Sequence, residues 1–552
     1  MQPTPSISRG ALALAVGLAF AVSASAQYTS ANRDVLLPNT GAWPSGGVTL
    51  GGTRFINLGL QGVGRVAANS IDAATGESLG SMSGMEITGF TNNGNGSWSG
   101  TFNFLPDRGY NAGAVFSNYA ARINTFNFTF TPYTAAAPTT LQNQIAMSFT
   151  GSTRFTYDHD NNPATPAIYT TGLLPAAGGS TLFGTTLPTV AATTTQSDGS
   201  FANRLTVDAE ALALDKRAGK AGSGWIGDEY GASIYRFNAS KQIVGVLPVP
   251  AALVPRTAGN INFLSDPPTT GRRANQGFEG VAQSPDGTRL FAMLQSATLQ
   301  DSGSGNQGRS NARLVVYDVS NADVPLAPLA QYVIQLPRVD DNGATGGVAV
   351  NRNGAQSEIV ALNSTQLLIL SREGNGRGAA GSPVFKSVLL ADLSSATNIN
   401  GMFDGNTDAV APGGVLSPTV TPISWTEALN MLGKLGPGAA NIELAKFGLN
   451  INSGPGDINT LSEKWEALAL VPAGDASAPN DYFLFVGNDN DFQSASGKNM
   501  LADGTLASYN AGLENDSVVL AWRVQVVPEP GTYTLMLTGL LGVAAVARRR
   551  RD

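Results

Sequence analysis

VDAEALAL (residues 207–214), followed by WIGDEYGASIYRFN (225–238), shows the repeating unit of the chain. Glu210 stands at the mouth of a short apolar run. A Gly/Ser-rich turn follows, then a second apolar run that ends in acid, Asp228 and Glu229. The arrangement recurs along the chain. GMEITG (84–89) carries Glu86 and leads to FLPDRGYN with Asp107, and GFEGVAQ (277–283) carries Glu279 and leads to LFAMLQS with Gln295. SEIVALN carries Glu358 and leads to LLILSREG, and KWEALALV (464–471) carries Glu466 and leads to FLFVGNDND with Asp489 and Asp491. Two adjacent antiparallel strands set the start of the first beside the end of the second. The unit therefore predicts paired carboxylates at one strand end, Glu210 near Asp228 and Glu466 near Asp489. Repeated four-stranded units about an axis make a β-propeller whose inner strands line a channel. The expectation is an all-β propeller of six or seven blades, with the glutamates ringing one channel mouth.

The rest of the chain agrees with short strands and turns. Charged residues make up only 13% of the 552, while 65 glycines and 30 prolines punctuate the apolar runs. That mixture suits hairpins better than helices. SWTEALNMLGKL (424–435) is the exception: Ser424 and Glu427 stand at capping-box spacing and predict a short helix, within an insertion over 395–460. Thr- and Ala-rich residues 134–205 read as a second insertion, and 27–80 as a lead with the first strands. The propeller itself is expected over 81–527.

Composition also excludes chemistry. A net charge of −7 with no basic tract outside the last residues argues against nucleic acid. Cysteine is absent and histidine occurs once, at His159, so polyhistidine zinc sites and histidine-dependent phosphatase chemistry are excluded. His159 lies in YDHDNNPATP, whose Asp158, Asp160 and Asn162 read as a peripheral turn rather than a calcium loop.

Both ends read as addresses. Arg9, the apolar run ALALAVGLAFAV and the small residues Ala24–Ala26 make residues 1–26 an expected secretory signal peptide. VPEPGTYTLMLTGLLGVAAVARRRRD closes the chain with Pro-Glu-Pro at 528–530, an apolar stretch and four arginines. This tail, 528–552, resembles the PEP-CTERM sorting signal. The resemblance implies processing by an exosortase, transient membrane anchoring, and a mature protein at the surface or in the extracellular matrix of a Gram-negative bacterium.

The glutamate motifs, in order from Ser81 to Asp491, resemble the phytase-like domain family known as "esterase-like activity of phytase". Membership implies a propeller and does not name a substrate. Several converging carboxylates repel one another unless a cation joins them, and an all-oxygen ligand set suits calcium. The expected metal ligands are Glu210, Asp228, Glu229, Glu279, Glu466, Asp489 and Asp491, with Glu279 and Glu210 in catalytic roles. GRRANQGFEG sets Arg272 and Arg273 before the Glu279 strand, where they are expected to bind substrate; Arg256, Arg309 and Lys464 are further candidates. Three functions fit. One is a calcium-dependent hydrolase of phosphate or other esters, using metal-activated water. The second is a non-catalytic propeller that binds polysaccharide or protein, and the third a lactonase-type enzyme.

Overall fold

A computed structural model describes residues 46–528, apart from 112–115, 161, 163, 192–202, 265–267, 340–350, 434–441 and 453. The expected signal peptide and nearly all of the sorting tail lie outside the described residues. Among the described residues, no helix is long and apolar enough to cross a membrane.

The apolar runs become strands and pair into five blades. The first blade runs outward from Gly84–Asn92 through Trp98–Leu105 and Arg122–Phe130 to Ile145–Arg154. The second opens with Ala209–Leu214, the third with Phe278–Gln283, the fourth with Ala355–Ala361 and the fifth with Lys464–Pro472. These five inner strands touch in sequence, and the fifth touches the first, so the ring closes. Closure uses both ends of the described chain. In the fifth blade the inner pair, Lys464–Pro472 and Asp481–Asp489, is followed outward by Ser517–Pro528 and then by the early strands Thr53–Val66 and Val48–Leu50.

Apolar contacts between neighbouring blades supply the core. Five buried clusters fill the blade interfaces, such as Trp225, Ile234, Phe278 and Leu290 between the second and third. The interface between fifth and first is aromatic, with Trp98 edge-on to Phe483 at 4.8 Å and Phe130 edge-on to the same ring at 5.0 Å. Each such ring stabilises the closure by about 1.5–3 kcal/mol through burial alone. The axis demands small residues. A Cβ on Gly227 would meet Phe278 O, a backbone atom of the next blade, at 2.5 Å.

Two expectations change. Five blades replace six or seven, because strand-like runs in 134–205 attach to existing sheets. Ile145–Arg154 is the outer strand of the first blade, and Thr156–Tyr157 with Ile168–Tyr169 extends the second. The expected helix at 424–435 is instead the strand Ser424–Asn430, pairing with Lys386–Asp392 from Ser424↔Asp392 to Asn430↔Ser387. Its local capping signal loses to tertiary pairing: Trp425 buries its ring and donates Nε1–H to Gln335 O at 2.8 Å, and Ser387 donates to Glu427 Oε1. One helical turn does exist in that insertion, at Ile442–Ala445. Within the segment expected to hold the lead and first strands, Thr53–Val66 is a full strand, registered from Thr53↔Pro528 to Val66↔Ser517.

Candidate functional site

Three inner strands carry a β-bulge at their glutamate. The ladder skips between Ala209 and Ala211, between Phe278 and Gly280, and between Trp465 and Ala467. The bulged residues are Glu210, Glu279 and Glu466. A bulge re-aims one side chain out of the alternation, and these three converge, each offering an oxygen within 4.8 Å of the others. The remaining two glutamates do not join them. In the fourth blade the bulge lies between Gln356 and Glu358, so Ser357 takes the equivalent place. In the first blade the register runs unbroken from Gly84 to Thr88, with Glu86 opposite Asn103. One residue of slip moves a side chain to another face. Glu86 and Glu358 accordingly line the channel interior with Lys216. The expected ring of five is a group of three at the mouth and two acids farther along the channel.

Around that group a larger acidic mouth forms. Glu210 also comes within 4.8 Å of Asp208 and Glu229, and Asp107, Asp489 and Asp491 make a further trio. Four cationic or amide groups are fixed among them. Arg108 pairs with Asp208 Oδ2, Arg372 with Glu466 Oε1, and Gln295 donates Nε2–H to Glu279 Oε1. Lys464 Nζ stands 2.6 Å from Asp491 Oδ1 and 3.4 Å from Asp489 Oδ2. Asp228 is placed differently: Oδ1 accepts from Asp208 N at 2.9 Å and Oδ2 from Gly231 N at 2.7 Å, so it braces the loop. Two buried carboxylate oxygens of the mouth, Glu229 Oε1 and Glu279 Oε2, have no donor among the described residues. An acceptor-only group left so is costly, and a cation or a shared proton relieves it.

Backbone details hold the mouth tight. A Cβ on Gly277 would lie 2.4 Å from Glu229 Cα, so only glycine lets the Glu279 strand approach. Asp491 and Phe492 adopt φ of 50° and 53°, a left-handed pair that carries the chain back from the Asp489 strand end. Residues strained in this way cluster at functional sites.

Electrostatics follow from burial. Desolvation, with Glu229, Asp208, Glu279 and Glu466 as repelling neighbours, drives the Glu210 pKa well above the carboxylate range. Burial followed by Glu466 and Glu229 does the same to Glu279, and burial with Asp489 and Asp208 to Asp107. Glu229 is pushed up to about 7 by burial and Asp208, Asp228 to about 8 chiefly by burial, and Asp489 to about 6 by burial against the pull of Lys464. Burial works against the Lys464 ammonium, yet Asp491, Asp489 and Glu466 outweigh it and raise its pKa. The mouth therefore holds protons at neutral pH wherever it holds no added positive charge.

Of the two arginines expected to bind substrate, Arg272 lies behind the mouth, where the charges of Glu229, Asp228 and Asp208 reach it, and Arg273 faces other partners. Arg272 is buried and spends its guanidinium on Tyr230 O, at 2.6 and 3.1 Å, and on Phe263 O at 3.1 Å. Arg273 donates to Ser302 Oγ at 3.1 Å and has Arg309 as its electrostatic neighbour. Arg108 and Arg372 occupy the positions those residues were expected to fill. Sequence reasoning also missed Asp208 as a ligand candidate, although DAE sets it two residues before Glu210. His159 sits in an outer turn 4.0 Å from Asp160, in a run of side-chain-capped loops through Asp158 and Asn162.

A family model described as "Esterase-like activity of phytase" (phytase-like) matches residues 79–492, and a PEP-CTERM protein-sorting motif matches 526–551. The sorting motif marks the chain for export and for recognition by an exosortase. An uncharacterized secreted protein of Arthroderma benhamiae is 29% identical over 474 residues, covering 80% of this chain and 88% of its own. Among solved structures, the Pseudomonas aeruginosa periplasmic gluconolactonase PpgL aligns over 90% of this chain and 100% of its own, at 11% identity and a TM-score of 0.25. Saccharomyces cerevisiae Sqt1 aligns over 80% and 83%, at 8% identity and a TM-score of 0.26. With three-quarters of its length matched by one family model, and with that model's span ending in the strand and turn that carry Asp489 and Asp491, this chain belongs to the phytase-like family described as esterase-like activity of phytase.

Proposed function

We propose that the acidic mouth holds calcium and that the protein is an exported hydrolase of phosphate or other esters. One observation carries this reading: Glu210 belongs to two carboxylate trios at once, beside buried oxygens of Glu229 and Glu279 that lack donors. The donor set consists of oxygens alone, which suits a hard cation of six to eight ligands. Glu210, Glu279 and Glu466 would hold it, with Asp208 and Glu229 on the other side of Glu210. Bound calcium supplies a Lewis acid and lowers the pKa of water in its shell.

The chain's own groups do the rest. Glu229, with a pKa near 7, is poised to take a proton from water and to return it to a leaving oxygen. Glu279 adjoins it, and each of the two carries a buried oxygen for which the described residues supply no donor. Arg108 and Lys464 offer fixed positive charge at the rim, where an anionic ester would be oriented. Arg372 pairs with Glu466 and so fixes the place of that carboxylate.

A second reading, a non-catalytic propeller in the extracellular matrix, is favoured by the sorting motif at 526–551. A lactonase-type reaction would use the same cation on a carbonyl. Hydrolysis of p-nitrophenyl phosphate, p-nitrophenyl acetate and a simple lactone, each with calcium and with EDTA, separates the three. Calcium-dependent turnover of an ester supports the hydrolase. Turnover of the lactone alone supports the lactonase, and binding of calcium with no turnover leaves the binding propeller.

A further inference from the structure

A second pocket, sharing no residue with the acidic mouth, opens beside the outer strands of the first blade. Its volume is about 430 Å³, and Arg122, Arg154 and Arg204 line it together with Glu77, Asn118 and Tyr169. Arg122 and Arg154 are register partners on neighbouring antiparallel strands. Like charges placed directly opposite in a sheet are destabilising. Arg122 is compensated: it is buried, stacks on Tyr119 at 3.7 Å, and pairs with Glu77 Oε2 at 2.6 Å, with Asp72 also contributing charge. Arg154 is not. It is half-buried and lies 3.7 Å over the Tyr169 ring, and among the described residues no carboxylate is within ion-pair distance of it. Arg204 adds a third guanidinium, oriented by Asn118 Oδ1 and by Thr170 O at 3.0 Å.

The pocket also presents the opposite need. Glu77 is 2% exposed, yet its Oε1 accepts no hydrogen bond. Tyr169 is 43% exposed, a large ring at the pocket wall. The site thus combines, among the described residues, a guanidinium without an ion pair, an acceptor without a donor, and an aromatic surface. One ligand class answers all three: a hydroxylated ring bearing an acidic group. Its carboxylate or phosphate would meet Arg154, its hydroxyl would donate to Glu77, and its ring would lie against Tyr169. Arginine suits such anions because its planar fork bonds two oxygens at once.

We propose that this pocket binds an acidic sugar unit, a uronic acid or a sugar phosphate. The test is calorimetric titration of the purified exported protein with glucuronate, glucose 6-phosphate and glucose. At least one acidic sugar is expected to bind ten times more tightly than glucose, and which one does so identifies the source of the anion. Arg154→Ala should weaken that binding at least tenfold, Arg154→Lys should retain part of it, and the melting temperature of both variants should stay near that of the parent. Equal binding of glucose and both acids, no binding of either acid, or unchanged binding by Arg154→Ala would overturn the proposal. The comparison of sugars on the parent protein decides the matter even where a variant folds poorly. Ester hydrolysis at the acidic mouth is unaffected by either outcome.

Discussion

Glu279 lies where the acids of the mouth converge. One oxygen takes Gln295, the other has no donor, and its carboxyl faces Glu210, Glu466 and Glu229. Glu279→Gln removes charge that calcium would need while keeping shape, so calcium affinity should fall at least tenfold by calorimetry. Asp160→Asn, in the outer turn, should leave affinity unchanged. Titration gives an independent check. Glu229 and Asp228 have folded pKa values near 7 and 8, above their ordinary carboxylate values. The folded state therefore keeps protons that the unfolded chain has already lost, and stability falls as pH rises through that window. Without calcium, melting temperature should decline between pH 5 and pH 8, by an amount on the order of a few kcal/mol in stability. Calcium should flatten that decline. A melting temperature that rises from pH 5 to pH 8 in EDTA would contradict the assignment.

Strands and bulges explain both what the sequence disclosed and what it withheld. Alternation and turn chemistry made the inner strands legible, and the motif spacing correctly set Asp228 and Asp489 beside the ends of the Glu210 and Glu466 strands. Bulges were not legible, because they are properties of pairing rather than of one strand. Glu358 and Glu466 look alike in sequence, yet the ladder skips Ser357 in one blade and Glu466 in the other. Pairing also overrode the capping pattern at Ser424, and Trp425→Ala tests this. Loss of a buried ring at an interface should cost about 3–5 kcal/mol, whereas an exposed helical position would cost little. Gly277→Ala tests the close approach of strands. Its methyl would collide with Glu229 backbone, so the variant should both melt several degrees lower and bind calcium more weakly.

Closure belongs to the whole molecule. Thr53–Val66 and Ser517–Pro528 are far apart in the chain, and nothing local in either announces its partner. Their pairing means that removal of residues 46–66 strips the outer strands from the fifth blade and exposes the face that Phe55, Leu60 and Val63 cover. Such a chain should lose its cooperative melting transition. Cation binding at the mouth acts on the same scale, since Glu210, Glu279 and Glu466 come from three different blades. Calcium joining them would tie those blades together and stabilise the folded state by mass action, about 2.7 kcal/mol at a hundredfold excess over its dissociation constant. Differential scanning calorimetry at pH 8, in calcium and in EDTA, tests this most directly. The melting temperature should be several degrees higher in calcium, with the difference abolished in Glu210→Gln; superimposable curves in calcium and EDTA would rule out a cation joining the three blades.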